Sequence, residues 1–308
     1  MSEAETVVRV EDLRMRYGEL DVLDGVRFDV SRGEVVTLLG PNGAGKTTTI
    51  EILEGFRVRS AGDVTVLGED PIDAPEEWRA QVGIVLQSWR DHARWTPRML
   101  LSHLGRYYEP YGTPERPRPY DVEWLIALAG LEEQADRKIR LLSGGERRRL
   151  DVAVGIVGRP ELLFLDEPTA GFDPQARRDF HGLVRRLVDS EDTTILLTTH
   201  DLDEAEKLAD RILILAGGRI VADGSAEELA RAVSGESRVR WRLNGEVHTE
   251  RTPDATAFVG DLFATHGDEL ADLDVRGSTL EETYLAMVQQ HESGYRDEAA
   301  QAFEEVDR

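Results

Sequence analysis

The chain contains no cysteine, which excludes disulfide bridges, thiolate metal centres and cysteine nucleophiles. Lysine is nearly absent, occurring only at Lys46, Lys138 and Lys207, so arginine supplies almost all of the 37 basic side chains. Those 37 bases face 60 acids, a net charge of -23, and this sign disfavours a nucleic-acid partner because phosphate binding needs a basic face. Long apolar runs are missing: the stretch from Ile212 to Ala216 falls far short of the roughly 20 residues that span a bilayer. A mean hydropathy of -0.39 agrees, and no segment is expected to cross a membrane. The first ten residues, MSEAETVVRV, are acidic and have no apolar centre. They read as neither a secretory signal nor a basic transit peptide, and the chain is expected in the cytoplasm.

What is present is enough chain, 308 residues, for roughly two folded units of about 150 residues each. Alternating valines at Thr6 to Val10 and Val22 to Val30, separated by a turn at Tyr17-Gly18, predict an antiparallel edge sheet. The run Val35 to Leu39 breaks at Gly40, and a helical pattern follows from Lys46 to about Phe56; strand, glycine loop and helix open an α/β unit. Short apolar runs at Val82 to Leu86, Leu162 to Leu165, Ile195 to Leu197 and Ile212 to Leu215 suit strands of a parallel sheet buried on both faces. Between them, helix-period stretches at Leu100 to Tyr108 and Val122 to Leu128 flank the proline-rich segment Pro110 to Pro119 and predict a helical insertion over about residues 88–150. Alternation resumes at Val239, Trp241 and Leu243, with an amphipathic stretch at Ala255 to Phe263, a strand at Leu273 to Val275 and a helix from Thr279. The expected organisation is a main domain over residues 1–235, a small α+β domain over 236–290 and an acidic, disordered tail over 291–308.

Three motifs carry chemistry. Gly40, Pro41, Asn42, Gly43, Ala44, Gly45, Lys46 and Thr47 satisfy G-x-x-x-x-G-K-[ST] between a predicted strand and a predicted helix, the context this motif requires, and Thr48 follows in the first helical turn. The glycines let backbone N–H groups close around phosphate oxygens, Lys46 neutralises the outer phosphates and the Thr47 hydroxyl suits Mg²⁺. Asp166 and Glu167 follow an apolar strand directly, where open α/β sheets place their ligands. Asp166 fits a magnesium role, and Glu167 fits a base for an attacking water. In LSGGE, Ser143 and Glu146 have capping-box spacing, whereas the Gly144-Gly145 pair strips side chains from the first turn and so exposes N–H groups to an anion. Both readings stand on the residues alone.

In this order the motifs resemble the ATP-binding cassette family: Tyr17, the Walker A loop, Gln87 at a strand end, LSGGE, LLFLDEP, TAGFDP and His200 after a strand, together covering residues 5 to about 233. The resemblance implies a P-loop NTPase core with a mostly parallel sheet, an antiparallel β subdomain and a helical subdomain, with ATP and Mg²⁺ as cofactors. It implies further that Tyr17 stacks on adenine, that Gln87 contacts magnesium and the attacking water, and that His200 contacts the γ-phosphate. Ser143 and Gly145 would bind the γ-phosphate of the opposite subunit, with Asp173 at the dimer interface. The family's signature ends in Gln where this chain has Glu146. The helix RRRLDVAVGIVGRP, with KTTTIEILEGFR and LEETYLAMV, looks like the subgroup of daunorubicin/doxorubicin, polysaccharide and lipid exporters.

The leading expectation is an ATPase subunit at the cytoplasmic face of the membrane that forms a homodimer and powers a separate transmembrane permease. The permease would dock between the sheet core and the helical insertion, near Ser88 to Trp95, with Trp89 and Trp95 as anchors. An importer ATPase is the second reading, disfavoured by Arg147-Arg148-Arg149. A cassette ATPase acting on ribosomes or nucleic acid is third, opposed by the acidity and by the absence of sustained heptads between Lys46 and Ser143.

Overall fold

The computed structural model describes residues 5–85, 92–169, 172–191, 193–234, 237–276, 280–282, 284–285 and 287–288. Contacts divide the chain into two compact units, Met1–Ile220 and Val221–Arg308. The expected acidic tail lies outside the described residues.

The first unit opens with β1 (Thr6–Tyr17) and β2 (Leu20–Ser31), an antiparallel pair in which Val8 faces Val30 and Val10 faces Phe28. Alternate residues of β1 are buried, as the valine pattern requires. Next comes β3 (Val35–Leu39), five residues all buried, followed by α1 (Lys46–Leu53). The helix stops short of the expected Phe56 because Gly55 takes a left-handed φ of 76°, and a Cβ there would lie 2.4 Å from the Pro71 carbonyl oxygen. A strand not expected from the sequence, β4 (Ala61–Val66), adds to the other edge of β1. Its only large apolar residues are Val64 and Val66, too few for a pattern.

Then follow α2 (Glu76–Arg79), β5 (Val82–Val85), α3 (Pro97–Tyr108), α4 (Val122–Leu128) and α5 (Gly144–Ile156). Pro97 occupies the first turn of α3, and the Thr96 hydroxyl accepts from the Met99 amide at 3.3 Å. The remaining elements of this unit are β6 (Leu162–Asp166), α6 (Pro174–Glu191), β7 (Thr194–Thr199), α7 (Leu202–Leu208), β8 (Arg211–Ala216) and the edge strand β9 (Arg219–Gly224), within which the division between units falls.

Strand order in the main sheet is β5-β6-β7-β3-β8-β9, and the pairs from β5 through β8 are parallel. Leu163, Leu165, Ile195 and Leu197 pack one face of it against Leu100, Leu125, Leu150 and Ile156 of the helical insertion. Phe164, Leu196, Leu38 and Leu213 join the cluster that contains the antiparallel sheet. Arginine ties the surface: Arg32 bridges Glu5 and Glu161, and Arg59 grips Asp70 through two bonds of 2.9 and 2.6 Å.

The second unit contains α8 (Ala226–Ser234), β10 (Ser237–Leu243), β11 (Glu246–Thr252), α9 (Ala255–His266) and β12 (Leu270–Arg276). Its antiparallel sheet runs β11-β10-β12. Val239 and Trp241 pack with Leu262, Phe258 and Leu273, and the Asp254 carboxylate caps α9. No helix among the described residues is long and apolar enough to cross a membrane.

Phe164 is fully buried in β6, two residues before Asp166. Phe164→Ala is expected to destabilise the chain by about 3–5 kcal/mol, read from the shift of the urea unfolding midpoint.

Candidate functional site

Parallel pairing brings the C-terminal ends of β3, β6 and β7 to one edge of the sheet: Asp166 lies opposite Thr198, and Leu39 opposite Thr199. The loop Gly40–Gly45 leaves β3 there and feeds the N-terminus of α1. Gly45 has φ 103°, and a Cβ on it would stand 2.6 Å from Leu23 Cδ2, so only glycine lets the loop close. The Thr49 hydroxyl donates to the Gly45 carbonyl at 2.9 Å and pins the first turn.

Lys46 is buried inside this loop, its Nζ donating to the carbonyls of Gly40 at 2.9 Å and Pro41 at 3.2 Å. Burial lowers its pKa, while the nearby carboxylates of Glu167 and Asp166 act in the opposite direction. Glu167 Oε1 lies 3.9 Å from that ammonium and 3.1 Å from His200 Nδ1. Lys46, Glu167 and His200 therefore meet around one carboxylate oxygen.

The arrangement turns on Thr198, which the sequence reading passed over as part of a threonine run. Its hydroxyl donates to Asp166 Oδ1 at 2.5 Å and accepts the Glu167 amide at 3.0 Å. It thus orients both acids from beneath, and Glu167 takes a left-handed φ of 43°, an unusual conformation for a side chain of its size. Arg148, which the sequence singles out only as part of the Arg147-Arg148-Arg149 run, belongs to the site as well. It is buried, and its guanidinium donates to the Pro168 carbonyl at 2.9 Å and the Asp166 carbonyl at 3.3 Å, on either side of Glu167. Thr47 donates its hydroxyl to Asp166 Oδ2 at 3.3 Å. A hydroxyl and a carboxylate converging beside a phosphate loop are hard oxygen donors, a set that fits Mg²⁺.

Tyr17 ends β1 and is 40% exposed, which leaves room for a stacked base, and the Arg57 guanidinium lies 5.3 Å from its ring centroid. Gln87, expected to contact magnesium and water, lies outside the described residues, as do Ser88 and Trp89. Trp95 packs inside the insertion, edge-on to His92 at 4.6 Å and His103 at 5.1 Å, so its ring is already used internally.

The remaining motif residues gather elsewhere. Ser143, Gly144, Gly145 and Asp173 line a cleft of about 380 Å³. No hydrogen bond or ion pair among the described residues joins these four to the Lys46 loop. Asp173 accepts the amides of Gln175 and Ala176 and caps α6. Glu146 closes the capping box: its Oε2 accepts the Ser143 amide at 2.7 Å, while Ser143 Oγ accepts the Glu146 amide at 3.3 Å. The Ser143 amide holds the Glu146 carboxyl below the usual range. The carboxylate is thus turned back onto its own helix start.

A groove of about 530 Å³ opens between the sheet core and the insertion, lined by Phe56, Trp78, Ile84, Leu104, Tyr107, Tyr108 and Val154, with Glu54 on its wall. Burial pushes the Glu54 carboxyl up to about 8, helped by the charges of Asp166 and Glu51.

Strand, phosphate loop, helix and a strand-end acid pair define a nucleoside-triphosphate-hydrolysing P-loop protein. The family model described as ABC transporter matches residues 23–170. The Nod factor export ATP-binding protein I of Ralstonia nicotianae is 43% identical over 72% of this chain and 68% of its own length. A daunorubicin resistance ATP-binding protein of Streptomyces coeruleorubidus, DrrA2, is 36% identical over 96% of this chain and 98% of its own. Among solved structures, the ADP conformation of an ATP-binding cassette of an ABC transporter aligns with a TM-score of 0.63 at 27% identity, covering 73% of this chain and 92% of that one. An ATP-binding subunit of an ABC transporter aligns with 0.64 at 25% identity, covering 92% and 99%. The chain belongs to the ABC transporter family as an ATP-binding, ATP-hydrolysing subunit.

Two outcomes follow from this geometry. Glu146→Gln should leave ATPase turnover within a few-fold, because glutamine completes the same capping box; a hundredfold loss in a steady-state phosphate-release assay would show that the carboxylate itself is used. For Glu54, the folded chain holds a proton that the unfolded chain, with a value near 4.5, releases. Stability is therefore drawn down as pH rises from about 4.5 to about 8, and Glu54→Gln removes that loss. The difference in melting temperature by circular dichroism should grow in the variant's favour across the window, and a constant difference would count against the buried neutral carboxyl.

Proposed function

We propose that the chain powers export through a separate transmembrane permease by ATP-driven head-to-tail pairing of two copies at the cytoplasmic face of the membrane. The observation that carries this reading is the division of the motifs between two clefts. One holds Lys46, Thr47, Asp166, Glu167 and His200; the other offers Ser143 and the bare amides of Gly144 and Gly145 at the start of a 13-residue helix, with Arg149 but no lysine among the described residues that line it. Each copy supplies what the other's cleft lacks, and a symmetric pair completes two sites. Export as the direction is supported by the names of the relatives, and the cargo class is a drug, lipid or polysaccharide. Residues 1–235 form the nucleotide-binding domain, with the smaller domain over 236–290.

Within each site, Tyr17 stacks on adenine and the loop from Gly40 to Thr48 wraps the phosphates. Lys46 exchanges its carbonyl contacts for phosphate oxygens. Thr47 and Asp166 would hold Mg²⁺, which supplies charge neutralisation on the phosphates when bound. Glu167 takes the proton of the attacking water, and His200 orients Glu167 through Oε1. The amides of Gly144 and Gly145, with the Ser143 hydroxyl, bind the γ-phosphate of the other copy's nucleotide, and Asp173 lies at the seam between copies. Gln87 would contact Mg²⁺ and the attacking water. The permease docks in the groove lined by Phe56 and Tyr107.

Glu167→Gln should bind ATP normally and hydrolyse it about 10²- to 10⁴-fold more slowly, the cost of losing a general base. With magnesium-free ATP this variant should run as a dimer on size exclusion, and as a monomer without nucleotide. Lys46→Ala should neither hydrolyse nor dimerise. Full turnover in Glu167→Gln removes that residue as base, and tight ATP binding without dimerisation removes the paired site.

A further inference from the structure

The groove between the sheet core and the insertion carries a feature that apolar docking does not require. Glu54 is 6% exposed, and no hydrogen bond or ion pair leaves its carboxyl among the described residues. Its surroundings otherwise suit a hydrophobic ligand: Trp78, Leu104 and Tyr108 line the groove, while Phe56 and Tyr107 stand 65% and 55% exposed beside it. Large aromatic rings left in solvent around a concavity mark a surface made to be covered.

Glu54 is the C-cap of α1, where carbonyl groups turn outward and the helix end carries partial negative charge. Glu51 and Asp166 add to the negative potential at its carboxyl. An anion at this point is opposed three times over, and a cation is favoured by the same three sources. Arg79 reaches the rim of the groove but is itself exposed and makes no ion pair with Glu54.

We propose that the groove receives a helix of the permease that places a lysine or arginine against the Glu54 carboxyl, with its aliphatic stem between Phe56 and Tyr107. This rests on the reading of the groove as the permease dock and adds the chemistry that selects the partner. The stem covers apolar surface while aromatic faces attract the charged head. A charge-assisted bond forms in a site closed to water by the bound helix. A cation on the arriving helix draws the proton from Glu54 and pairs with the carboxylate, a bond that a helix without the cation does not gain, so the carboxyl favours permeases that carry one. The same α1 that begins with Lys46 ends at Glu54, so partner docking and phosphate binding engage opposite ends of one two-turn helix.

The test uses the full chain co-expressed with its permease. A photo-crosslinking residue at Tyr107 maps the permease segment that enters the groove, and retention of the chain on permease-containing membranes is then compared for wild type, Glu54→Gln and Glu54→Lys. The expected result is a crosslinked segment bearing lysine or arginine, at least tenfold weaker retention in Glu54→Lys, an intermediate loss in the nearly isosteric Glu54→Gln, and recovery of Glu54→Lys when the permease cation is changed to glutamate. A crosslink to the permease with unchanged retention in both variants overturns the ion pair and leaves the dock standing. No crosslink to the permease overturns the dock itself. Recovery of Glu54→Lys by Arg79→Glu within the chain, and not by any change in the permease, would assign the carboxyl to Arg79 and overturn the proposal.

Discussion

Parallel hydrogen bonding among β6, β7 and β3 is the constraint on which the site depends. It sets three strand ends side by side at one edge, so Lys46 meets Asp166 and His200, each more than a hundred positions further along the chain, with no long side-chain excursion. The strands can be parallel because they are apolar on both faces and covered by packing from each side. Thr198 converts that pairing into chemistry: opposite Asp166 in register, its one hydroxyl fixes the carboxylate of Asp166 and the backbone of Glu167.

Most of this frame was legible in the residues, for a physical reason in each case. The phosphate loop is local, and its glycines, lysine and threonine act through their own backbone, so the order of residues states the function. The Asp166-Glu167 pair was legible because the preceding run is too apolar to be anything but a buried strand. Thr198 and Arg148 were not, because their meaning lies in what sits beside them. An arginine in a charged run is solvated by default, and only the fold shows that Arg148 alone turns inward toward the Asp166 and Pro168 carbonyls. Strand β11 was missed although its Asn244-Gly245 turn, with φ of 52° and 86°, is a strong hairpin marker; the strand itself has no apolar alternation to read. Glu54 belongs to the same class, since a glutamate near the end of a helical run reads as surface until packing buries it.

The two clefts divide labour by charge. Around Lys46 the chain gathers a cation and two acids, a set suited to moving protons near phosphate. At Ser143 it offers backbone amides and a helix start beside Arg149, and of the acids on that cleft Glu146 is turned back into its own cap while Asp173 accepts the amides of Gln175 and Ala176. The substitution of glutamate at that position is therefore compatible with anion binding at the glycines. The fold removes the conflict by spending the charge on a local hydrogen bond.

The near-absence of lysine has a consequence for the alkaline limit of the molecule. Arg32, between Glu5 and Glu161, and Arg59, gripping Asp70, keep their protons at any pH a folded chain survives. The Arg59 hydrogen bond holds Asp70 below its usual range, so that tie is lost only as the medium turns strongly acid. A chain stitched by lysine would loosen as alkali stripped its cations; this one has almost none to lose.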